Sequence, residues 1–217
     1  MTLLDFARGP GLQWSLVILV LGTLWRLFGS LLLRWKKDLS VPRRSGLNWG
    51  GLRLVFSRFW PHREFRATTT YQTVMGYIFH LGLAFVVFGF VPHILFIKGV
   101  TGVSWPGLPN DFVLVFGGIT VAVLIALLVR RLTHPVLRLI SNADDYISWF
   151  VTIVPVVTGL AAYAHIGLRY ETLLAIHILS VELLFVWFPF GKLMHALLFL
   201  PSRAHIGAAY GRKGVRA

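Results

Sequence analysis

Five long apolar runs, at residues 12–33, 73–97, 112–129, 147–164 and 172–200, alternate with polar connections along the chain. At helical rise, a run of this length covers about 27 Å or more, close to the hydrocarbon thickness of a bilayer. The pattern predicts an all-α integral membrane bundle of five transmembrane helices, with residues 1–217 forming one domain. The connection 34–72 reads differently from the others. Within it Leu52, Val55, Phe56 and Phe59 recur at helical spacing between Trp49 and Trp60, with Arg53 and Arg58 interspersed. That periodicity predicts an amphipathic helix lying in the membrane interface, as an anchor or as a platform for a cytoplasmic subunit. Gly76, Gly82 and Gly89 leave the second run open to close approach by a helix or a flat macrocycle.

Composition agrees with the pattern and narrows the chemistry. Hydrophobic residues make up 56% and charged residues 13%, too apolar for an ordinary soluble domain. The formal charge of +13 is concentrated between the runs, where positive-inside topology and anionic lipid account for it without nucleic acid. Connection 34–72 carries Arg34, Lys36, Lys37, Arg43, Arg44, Arg53, Arg58, Arg63 and Arg66. The third connection adds Arg130, Arg131 and Arg138, and the tail Arg203, Arg212, Lys213 and Arg216. Opposite them stand only Arg8, Lys98 and Arg169. The N terminus is therefore expected outside and the C terminus in the cytoplasm, in a bacterial or archaeal cytoplasmic membrane. Arg26, inside the first run, is expected to snorkel to the inner interface, with a haem propionate as the alternative partner. The chain has no cysteine, so it can form neither disulfides, nor thiolate iron–sulfur centres, nor the thioether links of a c-type haem.

Histidine carries the remaining chemistry. The segment HILSVELLFVWFPFGKLMH runs from His177 to His195, and on an unbroken helix eighteen residues are five turns, so both rings would share one face about 27 Å apart. His80 and His93 in the second run are about 20 Å apart by the same rise. Opposed runs then pair His80 with His195 near the inner face and His93 with His177 in the outer half, the mismatch being taken up by tilt or by a bend at Pro189. Such pairs suit haem iron with two axial histidines. Thirteen residues turn His93 about 140° from His80 on an ideal helix, and His165, at the outer end of the fourth run, is its rival as a ligand. His62, His134 and His205 sit beside cations and read as surface residues. Glu182 is the lone carboxylate deep in a run, a proton carrier near the outer site or a hydrogen-bonding partner for a neighbouring helix.

The fifth run, a histidine followed after eleven residues by PFGKLMH, resembles the haem-binding segment of the gamma subunit of respiratory nitrate reductase. RRLTHPVLRLISNADDYISWFVTIVPVVTGL, from Arg130 to Leu160, is similar to that family's third loop and fourth helix, and FHLG, from Phe79 to Gly82, to the start of its second helix. The resemblance implies two b-type haems, quinone exchange near the outer face, and electron transfer to or from a cytoplasmic iron–sulfur subunit. It implies His80 and His195 as ligands of the proximal haem and His177 as a ligand of the distal one. The fourth ligand departs from the pattern: Phe90 stands where nitrate reductase subunits place a histidine, and His93 follows three residues later. Membrane subunits linked to dissimilatory sulfite reduction vary more here. The shorter connection between the fourth and fifth runs and the longer first inner loop point to a sister group with another partner. The outer loop KGVTGVSWPGLPN supplies Lys98 and Trp105 as quinone-site candidates. The competing expectation is a haem-free membrane anchor or small transporter that uses its histidines for packing or proton movement.

Overall fold

The computed structural model describes residues 1–33, 39–43 and 49–215. It contains α1 (Leu3–Phe6), α2 (Leu12–Leu32), α3 (Trp49–Ser57), α4 (Arg66–Gly89), α5 (Val91–Thr101), α6 (Asn110–Thr133), α7 (Pro135–Ile140), α8 (Ala143–Ala164), α9 (Tyr170–Trp187) and α10 (His195–Arg212). A π-turn at Ala7–Gly11 joins α1 to α2, and the five segments 3–32, 63–89, 110–133, 143–164 and 170–187 are each long and apolar enough to cross a membrane. The protein is a helical membrane bundle. Of the basic connection, Arg34, Lys36, Lys37 and Arg44 lie outside the described residues.

The spans pack in the order α2, α9, α8, α6, α4. Small residues set the close crossings: a side chain at Gly82 of α4 would run into the Thr120 hydroxyl of α6, and one at Gly22 of α2 would meet Pro189 Cγ at 2.7 Å. α4 and α9 are not among the closely packed helix pairs of the described residues.

Two runs expected to be single helices are broken. The second span ends at Gly89, Phe90 is extended (φ −79°, ψ 124°), and α5 starts at Val91. Pro92 has no N–H to give the helical ladder, which leaves carbonyls behind it without their usual donors. Each finds another. Val86 O accepts from His93 Nδ1 at 2.9 Å, Phe88 O from Trp105 Nε1 at 2.6 Å, and Gly89 O from the Leu108 amide at 2.8 Å. The loop 102–109 is thereby folded back onto the end of α4.

The fifth run stops at Trp187. Residues 188–191 turn, Lys192–Met194 make one 3-10 turn, and α10 begins at His195 and continues to Arg212, where a polar tail was expected. His177 and His195 therefore do not share one unbroken helix, and Pro189 lies at the break. The amphipathic helix expected around Leu52 is present as α3, and it packs on α10. The face it buries carries Gly51 and Leu54, whereas Trp49, Leu52 and Phe56 are exposed. The backbones nearly touch: a Cβ at Gly51 would lie 2.7 Å from Ala204 O, and one at Gly207 would meet Gly50 O.

Candidate functional site: two facing histidine pairs

The break after α4 and the break after α9 bring four histidines together as two pairs. His80 on α4 faces His195 at the start of α10, with ring centroids 6.0 Å apart and planes at 89°. His93 on α5 faces His177 on α9, with centroids 6.0 Å apart and planes at 20°. These are the pairings expected from opposed runs, reached by bent rather than continuous helices. One pair joins α4 to α10 and the other joins α5 to α9.

The second nitrogen of every ring is occupied. His80 Nδ1 lies 2.6 Å from Gly76 O, His93 Nδ1 2.9 Å from Val86 O, His177 Nδ1 3.1 Å from Pro155 O, and His195 Nδ1 2.8 Å from Lys192 O. A carbonyl can only accept, so each Nδ1 is the donor, which leaves Nε2 as the nitrogen free to face a ligand. This is how metal-ligating histidines are oriented and held in the required tautomer. Two metal–nitrogen bonds of about 2 Å, plus about 1 Å from each nitrogen to its ring centre, add to about 6 Å between centroids. Rings on opposite sides of one ion can rotate about the bond axis, so neither the crossed nor the near-parallel pair is disfavoured.

The surroundings of His177 escaped the sequence. Gly159 lets the ring lie against α8, since a Cβ there would be 3.0 Å from His177 Cε1. Thr158 Oγ1 is 3.3 Å from His177 Nδ1 and 3.1 Å from Ser180 Oγ. Nothing in the sequence showed that the Pro155 carbonyl would meet a ring on another span.

His165 is not brought to His177. It caps α8 in the left-handed region (φ 55°), its Nδ1 bonds Tyr163 O at 2.9 Å, and its ring stacks on Tyr170 at 5.0 Å. His62, His134 and His205 are exposed, as is Arg26. Glu182 is 7% exposed and lies against Gly11 rather than beside His177, and its Oε1 has no hydrogen-bond partner among the described residues. Trp105 is tied to Phe88 O, whereas Lys98 is exposed on the last turn of α5. At the other end of the bundle lie a cleft of about 440 Å³ at Tyr71 and Arg130 and a 190 Å³ cavity whose walls include Phe79, Arg131, Lys192 and His195. Lys98 and Trp105 line neither.

Among the described residues no group of three or more His, Asp or Glu side chains is placed to hold a metal ion. Each histidine pair offers two ligands, and any ion between them needs the rest of its coordination from elsewhere. A protein of Nitratidesulfovibrio vulgaris strain Hildenborough, described only as "Protein", is 28% identical over 221 residues, covering 96% of this chain and 93% of that one. The match runs along nearly the full length of both chains. No family model and no solved structure matches the chain.

Proposed function

We propose that this protein is the dihaem b membrane subunit of a respiratory oxidoreductase, exchanging electrons between the quinone pool and a cytoplasmic iron–sulfur partner. One observation carries the proposal: two histidine pairs, each with centroids 6.0 Å apart, with all four Nδ1 atoms bound to backbone carbonyls. A pair that gives only two nitrogens fits a macrocycle that brings four of its own. His80 and His195 would hold the proximal haem, His93 and His177 the distal one. Bound haem supplies a one-electron couple at each end of the bundle.

The chain's own residues would hold each group through one histidine pair, with every ring oriented by a backbone carbonyl. The carbonyls of Gly76, Val86, Pro155 and Lys192 hold the imidazole protons away from the ligating nitrogens. With no cysteine, the chain cannot house an iron–sulfur relay, so that relay belongs to a partner. The partner docks on the face carrying Arg130, Arg131, Lys192 and the basic α3–α10 pair, which positive-inside topology assigns to the cytoplasm. Quinone then reacts at the opposite end, near His93, His177 and the loop that contains Trp105, with Lys98 at its edge. A reduced-minus-oxidised spectrum of haem-replete membranes tests the reading: a b-type signal of two components is expected. A haem-free anchor or transporter would give none.

A further inference from the structure

A polar network beside the proximal histidine pair converges on one residue. Asp145, in the first turn of α8, has a side chain only 10% exposed and binds two cations from two other elements. Lys192 Nζ is 2.6 Å from its Oδ2, and Arg131 Nη1, at the end of α6, is 3.2 Å from its Oδ1. Arg131 is itself fixed by a 2.9 Å bond to Ser141 Oγ. Next door, Asp144 Oδ1 accepts from the Lys192 backbone amide at 3.2 Å and from Ser148 Oγ at 2.8 Å. Lys192 is thus held by both its amide and its ammonium, and its remaining backbone group, the carbonyl, accepts from His195 Nδ1.

We infer that Asp145 is a positioning residue that sets the direction of His195 through Lys192, a role that rests on the haem reading above. His195 needs such a device because it opens α10 just after the break at residues 188–191, where no regular helix precedes it. The ring is exposed, and its hydrogen bond goes to a carbonyl within a single 3-10 turn. Its aim follows Lys192, whose amide is bound by Asp144 and whose ammonium is bound by Asp145, both at the start of α8. His177 has no comparable need, lying mid-helix with Gly159 and Thr158 against it. A capping role alone does not account for Asp145. The capping box uses its Oδ2 toward the Asn142 amide at 3.0 Å, but it requires neither Lys192 nor Arg131.

The test is low-spin EPR and redox titration of the two haem signals in membranes holding the full chain, comparing wild type with Lys192→Met, Lys192→Arg and Asp145→Asn. The signal lost in His80→Ala identifies the proximal haem. Positioning predicts that Lys192→Met and Asp145→Asn shift the ligand-geometry signature of that signal in the same way, that Lys192→Arg restores it, and that the distal signal stays unchanged. If the two charges merely tune the potential, the variants move it in opposite directions with the EPR signature unaltered, and the inference fails. Equal loss of both signals in both variants would reduce Asp145 to a general stabiliser and also overturn it. Wild-type membranes with no haem signal would remove the function reading and this inference together, a result distinct from unchanged variants of a haem-loaded wild type.

Discussion

At each histidine the informative atom is the one that does not face its partner ring. A neutral imidazole in an apolar segment has one donor and one acceptor, and here the donor is always given to a main-chain oxygen. The histidines themselves were legible in the sequence, because an ionisable side chain within an apolar run is rare and costly. Their carbonyl partners were not, because Val86 O and Lys192 O become available only at breaks that local sequence suggests but does not place. His93 shows the limit well. On a regular helix it points away from His80's face, and only the extended Phe90 and the Val86 bond turn it to His177. Gly159 supplies a test at this scale. Gly159→Val puts a branched side chain where even a Cβ would be 3.0 Å from the His177 ring. The distal haem signal should be lost or strongly shifted while the proximal one persists, as read by the reduced-minus-oxidised spectrum. Gly82→Val, whose side chain would overlap the Thr120 hydroxyl, should cost about 1–3 kcal/mol through overpacking, measurable as a lower midpoint for unfolding in detergent.

At the scale of elements, the two proline-linked breaks turn a five-span pattern into a bundle with facing histidines. Hydropathy located the spans well because it reports burial in lipid. It could not separate α4 from α5, or α9 from α10, because both sides of each break are apolar. Pro92→Ala restores an N–H to the ladder and favours continuation of α4 into α5. The ring of residue 93 would then rotate toward its ideal position, about 140° from His80. The expected outcome is loss of the distal haem with the proximal one retained, and an unchanged distal signal would show that the break does not depend on Pro92. The α3–α10 pair was half legible: the sequence showed a periodic helix, but the face against α10 is set by Gly50, Gly51 and Gly207, which a hydrophobic pattern passes over. Gly207→Leu should separate these helices, at a similar cost of about 1–3 kcal/mol, and increase protease cleavage between residues 49 and 60, without altering the His93–His177 signal.

For the whole molecule, the spans pack in the order α2, α9, α8, α6, α4, and the two histidine pairs join α4 to α10 and α5 to α9. The distribution of cations sets the expected sidedness, with the proximal pair nearer the basic end and the distal pair nearer the loop 102–109. In sealed vesicles of known orientation, oxidation of a quinol analogue should release protons on the side opposite the basic connections. Release on the basic side alone would place the quinone site at the proximal pair instead.

The central claim is that each facing pair holds one haem. It is tested most directly by haem content and reduced-minus-oxidised spectra of the wild type and of His80→Ala, His93→Ala, His165→Ala, His177→Ala and His195→Ala in haem-replete membranes. The account predicts two b-type haems in the wild type and in His165→Ala, loss of one and the same haem in His80→Ala and His195→Ala, and loss of the other in His93→Ala and His177→Ala. It is contradicted by a wild type without a b-type signal, by different losses in His80→Ala and His195→Ala, or by His165→Ala in place of His93→Ala matching His177→Ala.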